Sequence, residues 1–81
     1  MNAALMEEKA YIKALQEDIE ASLINDHLCL IRNHSSGTKY YVKLGKNSVI
    51  TTCTCPHYQY RRVPCKHMIA AHLQLRLPIK K

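Results

Sequence analysis

Apolar positions along this chain change their spacing near residue 25. Leu5, Ile12 and Ile19 stand seven apart, and Leu15 and Leu23 fall on the same side of a helix. From Ala3 to about Ile24 the chain is rich in Ala, Leu, Glu and Lys and has no Gly or Pro, a composition that favours helix. The pattern predicts an amphipathic helix over 3–24, stopped at Asn25 and Asp26. Its apolar stripe must be covered, either by the rest of the chain or by a second copy of the same helix.

Beyond that point the spacing suits strands. Leu28–Asn33 (LCLIRN) reads as an apolar strand, followed by the loop HSSGT, where Gly37 supplies turn freedom. In Lys39–Leu44, Tyr40, Val42 and Leu44 alternate with Tyr41 and Lys43, the mark of a half-buried strand. Gly45, Lys46 and Asn47 make a short turn into Ser48–Cys55, a β-branched run ended by Pro56. A last helix is predicted from near Pro64 to about Leu77. Ile69, Ala70, Leu73 and Leu77 share one side of it, with Met68, Ala71 and Leu75 opposite. Two apolar sides need two partners: the sheet on one, and the first helix or another subunit on the other.

Charge divides the chain in the same place. Residues 1–26 hold all six acids and only two lysines, a net −4, whereas residues 27–81 hold ten Lys and Arg and no acid. The expected organisation is an acidic helix over 1–26, for packing or oligomerisation, and a basic domain over 27–81. With 81 residues the core is thin, and a metal, disulfides or association usually supplements it. The opening stretch carries charges where a secretory leader has an apolar core. No run approaches the ~18 apolar residues of a membrane helix. The expectation is a soluble intracellular protein with reduced thiols and no membrane association.

Three of the four cysteines then become candidate ligands. Cys53 and Cys55, at i and i+2 of a strand, face the same way. Cys65 and His67 repeat that one-residue gap where the last helix starts. Together they make the Cys₃His donor set of a structural zinc site, one ion per chain. Arg61, Arg62 and Lys66 offset its negative charge, and the helix start favours thiolates. A two-cysteine, two-histidine alternative through Cys55, His67 and His72 leaves Cys65 out and places its histidines ~140° apart on a helix. His57 reads as a loop histidine or supporting donor, and Cys29 as a buried core thiol.

The pattern C-x-C-x₉-C-x-H resembles the SWIM zinc finger. The similarity extends to Tyr40-Tyr41-Val42 in the preceding hairpin, Pro56 after the second cysteine, and Pro64-Cys65-Lys66-His67-Met68-Ile69 opening an apolar helix. The resemblance covers about residues 27–77. It implies a small α+β, zinc-stabilised ββα finger, with a short antiparallel sheet of about three strands and a C-terminal helix. It also implies ligands Cys53, Cys55, Cys65 and His67, and binding to DNA or to protein. Most such fingers are appended to something larger, whereas here the finger makes up nearly the whole sequence.

A catalytic zinc keeps an open position and wants a carboxylate nearby. Four protein ligands and an acid-free segment argue against an enzyme and against a small-molecule substrate. The basic segment points to nucleic acid, DNA ahead of RNA, through Lys39, Lys43 and Lys46 of the hairpin, Tyr58, Tyr60, Arg61 and Arg62 between the ligand pairs, and Lys66. Tyr58 and Tyr60 have a second reading as walls of the zinc site. The competing function is a protein-interaction adaptor, or a homodimer, using the apolar faces of the two helices.

Overall fold

The computed structural model describes residues 8–79. Its first helix, α1, spans Glu8–Gln16, and strand β1 follows at Ile19–Asn25. The helix predicted over 3–24 is thus corrected: its second half is strand, and residues 3–7 lie outside the described region. Propensity is a weak prior that tertiary packing overrides. As a strand, Ile19 and Ala21 turn inward and are buried, while Glu20 and Ser22 face out. The seven-residue repeat linking Ile12 to Ile19 joins two elements of different period. Within α1 the buried positions are Ala10 and Ala14, while Ile12 and Leu15 stay exposed. Two alanines one turn apart allow the close approach of α1 to the last helix.

Strands β2 (Leu28–Asn33), β3 (Thr38–Leu44) and β4 (Ile50–Cys53) complete an antiparallel sheet in the order β1-β2-β3-β4. The sheet therefore has four strands where about three were expected, the extra one coming from the supposed helix. At the first turn the His27 amide donates to Asn25 Oδ1 at 2.7 Å. The second turn uses Gly37 at φ 74°, the left-handed conformation that glycine adopts without strain. The third is a 3₁₀ turn over Lys46–Ser48, with Asn47 and Ser48 also left-handed. It shortens the strand predicted from Ser48.

After β4 come α2 (Pro56–Arg61) and α3 (Lys66–Leu75). Helix α3 starts at its N-cap Cys65 and ends at Arg76, whose φ is 56°. It lies between the sheet and α1, so each of its predicted apolar sides has a partner within the chain, while Leu73 stays exposed. Ile31, Val42, Ile50 and Ile69 form the fully buried centre.

Polar side chains fasten the ends of this stack. Gln74 of α3 accepts from the Ala21 amide at 2.8 Å and donates to the Ile19 carbonyl at 2.6 Å. Its amide behaves as one more strand residue on the outer edge of β1 and blocks pairing there. The opposite edge strand, β4, receives Tyr58 Oη on the Thr51 carbonyl and Gln59 Nε2 on the Cys53 carbonyl. Its Ile50 amide donates to the Pro78 carbonyl. Glu17, just past α1, accepts from Lys66 Nζ at 2.7 Å and from Asn33 Nδ2 at 2.8 Å. Asn33 is buried, and its Oδ1 takes the amides of Ser35 and Ser36. Lys66 first, and then Asn33, hold the Glu17 carboxyl below the usual carboxylate range.

Replacing Gln74 by Ala removes two hydrogen bonds and leaves part of the β1 edge unpaired. It should cost about 1–2 kcal/mol in denaturant unfolding at fixed zinc. Hydrogen exchange should accelerate at the Ala21 amide before it changes in β3. Equal exchange at Ala21 in both proteins would contradict the edge-capping role.

Candidate metal centre

The end of β4 and the start of α3 carry the four predicted ligands. Cys53 ends β4, Cys55 is the N-cap of α2, and Cys65 is the N-cap of α3, with His67 in its first turn. Each position follows from local chemistry. Pro56 fits the first turn of α2, where a missing amide costs nothing. Cys55 Sγ accepts the Tyr58 amide at 3.4 Å, so the ligand also caps this short helix. Residues 56–61, expected as loop, are helical for that reason.

The four donor atoms lie within 4.8 Å of one another, and all four residues are buried. His67 Nδ1 stands 3.9 Å from Cys53 Sγ and 3.8 Å from Cys65 Sγ. Zinc at ~2.3 Å from sulfur and ~2.0–2.1 Å from nitrogen, in tetrahedral geometry, sets such pairs roughly 3.6 Å apart. The donors therefore fit a tetrahedral zinc, with Nδ1 as the ligand atom of His67. Nε2 is buried without a hydrogen-bond partner among the described residues. The Tyr40 ring packs against the imidazole, centroids 4.7 Å apart, and fixes its plane.

Electrostatics argue for a cation at the centre. Without one, hydrogen bonds from Cys53 and then Cys65 hold the Cys55 thiol far below its ordinary range. Cys53 is pushed far up, first by its hydrogen bond to Cys55 and then by that to Cys65. Cys65 is drawn down by Cys53, but Cys55 and burial outweigh this and push it up to about 11. Three thiolates gathered at one buried point repel one another, which limits how many can be charged together. A divalent ion removes that limit and lets all three coordinate as thiolates.

The competing ligands lie elsewhere. His72 Nδ1 is 2.6 Å from the Leu77 carbonyl, and His57 is exposed on α2. Neither joins the cluster, so the alternative through Cys55, His67 and His72 is excluded. Cys29 is fully buried in the core, where burial pushes its thiol up.

A buried Cys₃His set gathered by one strand end and two helix starts defines a structural zinc finger of α+β architecture. Residues 40–75 match the family model of the SWIM zinc finger. No curated protein and no solved structure matches the chain.

The remaining predicted site residues separate into three settings. Lys39 and Lys43 are exposed on β3, and Lys46 is exposed on the 3₁₀ turn. Tyr60 is 89% exposed, and Arg61 and Arg62 are exposed at the end of α2. Tyr58 is half-buried against the core, and the Arg62 guanidinium lies 5.8 Å from its ring centroid. Lys66 is paired with Glu17. Sequence reasoning missed Tyr40 as a support of His67, and it missed Glu17, Asn33 and Gln74. An alternating apolar pattern around Tyr40 placed its ring on the inner face; nothing local marked the other three.

Purified protein should contain one zinc per chain. Cys65→Ser should lose it, and Cys29→Ala should keep it. The ion contributes on the order of 10–16 kcal/mol in small fingers, against a typical domain stability of about 5–15 kcal/mol. Chelation should therefore abolish amide protection in β3, β4 and α3. Protection that survives complete zinc removal would rule out a structural ion.

Proposed function

We propose that this zinc finger is a nucleic-acid-binding module, DNA ahead of RNA, acting as a small accessory or regulatory protein rather than as an enzyme. The observation that carries the reading is the disposition of charge about the sheet. Arg32, Lys39 and Lys43 are exposed on the strands, and the segment from His27 onward contains no acid. Cations grouped this way neutralise phosphates and release counterions. Lys46, Tyr60, Arg61 and Arg62 extend the basic surface, while Tyr58 and Lys66 serve mainly to hold α2 and α3 in place. Four buried protein donors complete a tetrahedral zinc, which supports a scaffold role for the ion and a binding role for the chain.

A second reading, a protein adaptor or homodimer, is favoured by one observation. Tyr11, Ile12 and Leu15 are exposed together on α1, Leu15 at 62%. In this reading the apolar helix surface meets a protein and the basic surface contributes charge.

Titration of the zinc-loaded protein with duplex DNA, single strands and RNA over a salt series separates the two. Nucleic-acid binding predicts a log–log salt slope of about −2 to −3, the value for roughly three phosphates. Arg61→Ala combined with Arg62→Ala should weaken binding at low salt. No binding to any nucleic acid, with self-association that Leu15→Ala disrupts, would move the assignment to the adaptor.

A further inference from the structure

The sheet has two unlike faces. The inner one holds the core, α3 and the zinc site. On the outer one, no element packs among the described residues, and the strands present Arg32, Lys39, Tyr41 and Lys43. Lys39, Tyr41 and Lys43 follow one another on β3 at intervals of ~7 Å, two strand residues. Arg32 is the cross-strand partner of Lys39, and Leu30 that of Tyr41. The Tyr41 side chain is 42% exposed, an aromatic ring on a central strand with cations on either side of it. An acid on this face is Glu20, opposite Arg32 on β1 and bonded to His34 at 2.9 Å. Beside Arg32 and Lys39, at the turn end of β2 and β3, is a hollow of about 270 Å³ lined also by Asn33, His34, Gly37 and Thr38. A β-carbon added to Gly37 would meet nothing within 4 Å.

We propose that this open face binds single-stranded nucleic acid, with Tyr41 stacking on a base and Arg32, Lys39 and Lys43 on the flanking phosphates. The proposal rests on the nucleic-acid reading above and specifies its surface and its strandedness. A ring in the middle of a sheet face can meet only a base whose flat side is free, which a duplex does not offer. The helices point the same way. The first half of α3, His67–Ala71, is buried, and α2 has six residues and reaches only ~9 Å, so neither offers a long free face to a duplex groove.

The zinc supports the face through one residue. Thr54 lies between ligands Cys53 and Cys55. Its amide donates to the Tyr41 carbonyl at 3.0 Å, and its Oγ1 accepts the Tyr41 amide at 3.0 Å. The backbone that carries the stacking ring is thereby tied to the metal loop.

The test is fluorescence anisotropy of the full, zinc-loaded chain with a labelled single-stranded DNA of ~12 nucleotides, within the usual site size, its duplex, and the matching RNA strand. The single strand should bind more tightly than the duplex. Tyr41→Ala should weaken single-strand binding about 5- to 160-fold, the range for loss of one stacked base. Tyr41→Phe should bind within about twofold of the parent, because its ring remains. Arg32→Ala with Lys39→Ala should reduce the single-strand salt slope by roughly 1.4. Tyr11→Ala, on the helix beyond α3, should change nothing. RNA binding that depends equally on Tyr41 supports the same face. Preference for duplex, full affinity in Tyr41→Ala, or displacement by polyglutamate as effective as by unlabelled strand would overturn this inference while leaving a nucleic-acid or acidic-partner role intact. Absence of binding to all three probes would overturn the nucleic-acid reading itself. Zinc content and amide protection of each variant confirm that it is folded.

Discussion

Three sulfurs brought to one buried point repel one another's charge, and the fold depends on how that repulsion is relieved. A protein of this size buries little, so no surplus of apolar contact is available to hold Cys53, Cys55 and Cys65 together as thiolates. A tetrahedral zinc relieves the repulsion and converts it into the strongest cross-link in the molecule. The cross-link has a particular placement. It ties the end of β4, the last strand, to the starts of α2 and α3, the two helices that follow it. Without it α2 would be a six-residue helix, its Tyr58 and Gln59 side chains reaching the β4 backbone, far below the length at which an isolated helix is stable.

The N-terminal segment completes what the metal starts. Helix α1 covers the side of α3 that the sheet cannot reach, and β1 lengthens the sheet on the edge remote from the zinc. The contacts that secure these additions reach from this segment to α3. Glu17 accepts from Lys66, next to two ligands, and Gln74 pairs with the backbone of β1. Zinc loading and the docking of residues 8–25 therefore stabilise the same helix from its two ends. Acid weakens both. Glu17 contributes stability above the ordinary carboxylate range, and that contribution is lost as the pH falls through its lowered folded value. The thiolates take up protons and release the ion as well.

The metal site was legible in the sequence because its spacing is a geometric statement: i and i+2 on a strand, then the same gap at a helix start. The strands were legible where alternation was clean, as in Tyr40–Leu44. The helix read over Glu8–Gln16 is there, but residues 19–24 were misread as its continuation because two patterns overlap. Ile12 and Ile19 are a heptad apart, yet Ile19-Glu20-Ala21-Ser22 also alternates, and the ladder to β2 decided between them. In α1 the large apolar residues drew attention, whereas close packing on α3 selected Ala10 and Ala14. Gln74, Glu17 and Asn33 were invisible for a different reason. Each makes its contact across a long separation, Gln74 to Ala21 spanning 53 residues, and nothing in a local window encodes such a partner.

Strand β3 joins the two faces of the molecule. Tyr40 turns inward and packs against the His67 ring; Tyr41, its neighbour, turns outward. Alternation forces this division on any strand, but its effect depends on what lies on each side. Here the inward tyrosine reports on the metal, and the outward one is held by Thr54 from within the metal loop. A backbone held at its amide and its carbonyl by a neighbouring loop fixes where the ring starts and which way it points. The metal loop fixes the backbone under an exposed ring and leaves the ring itself untouched.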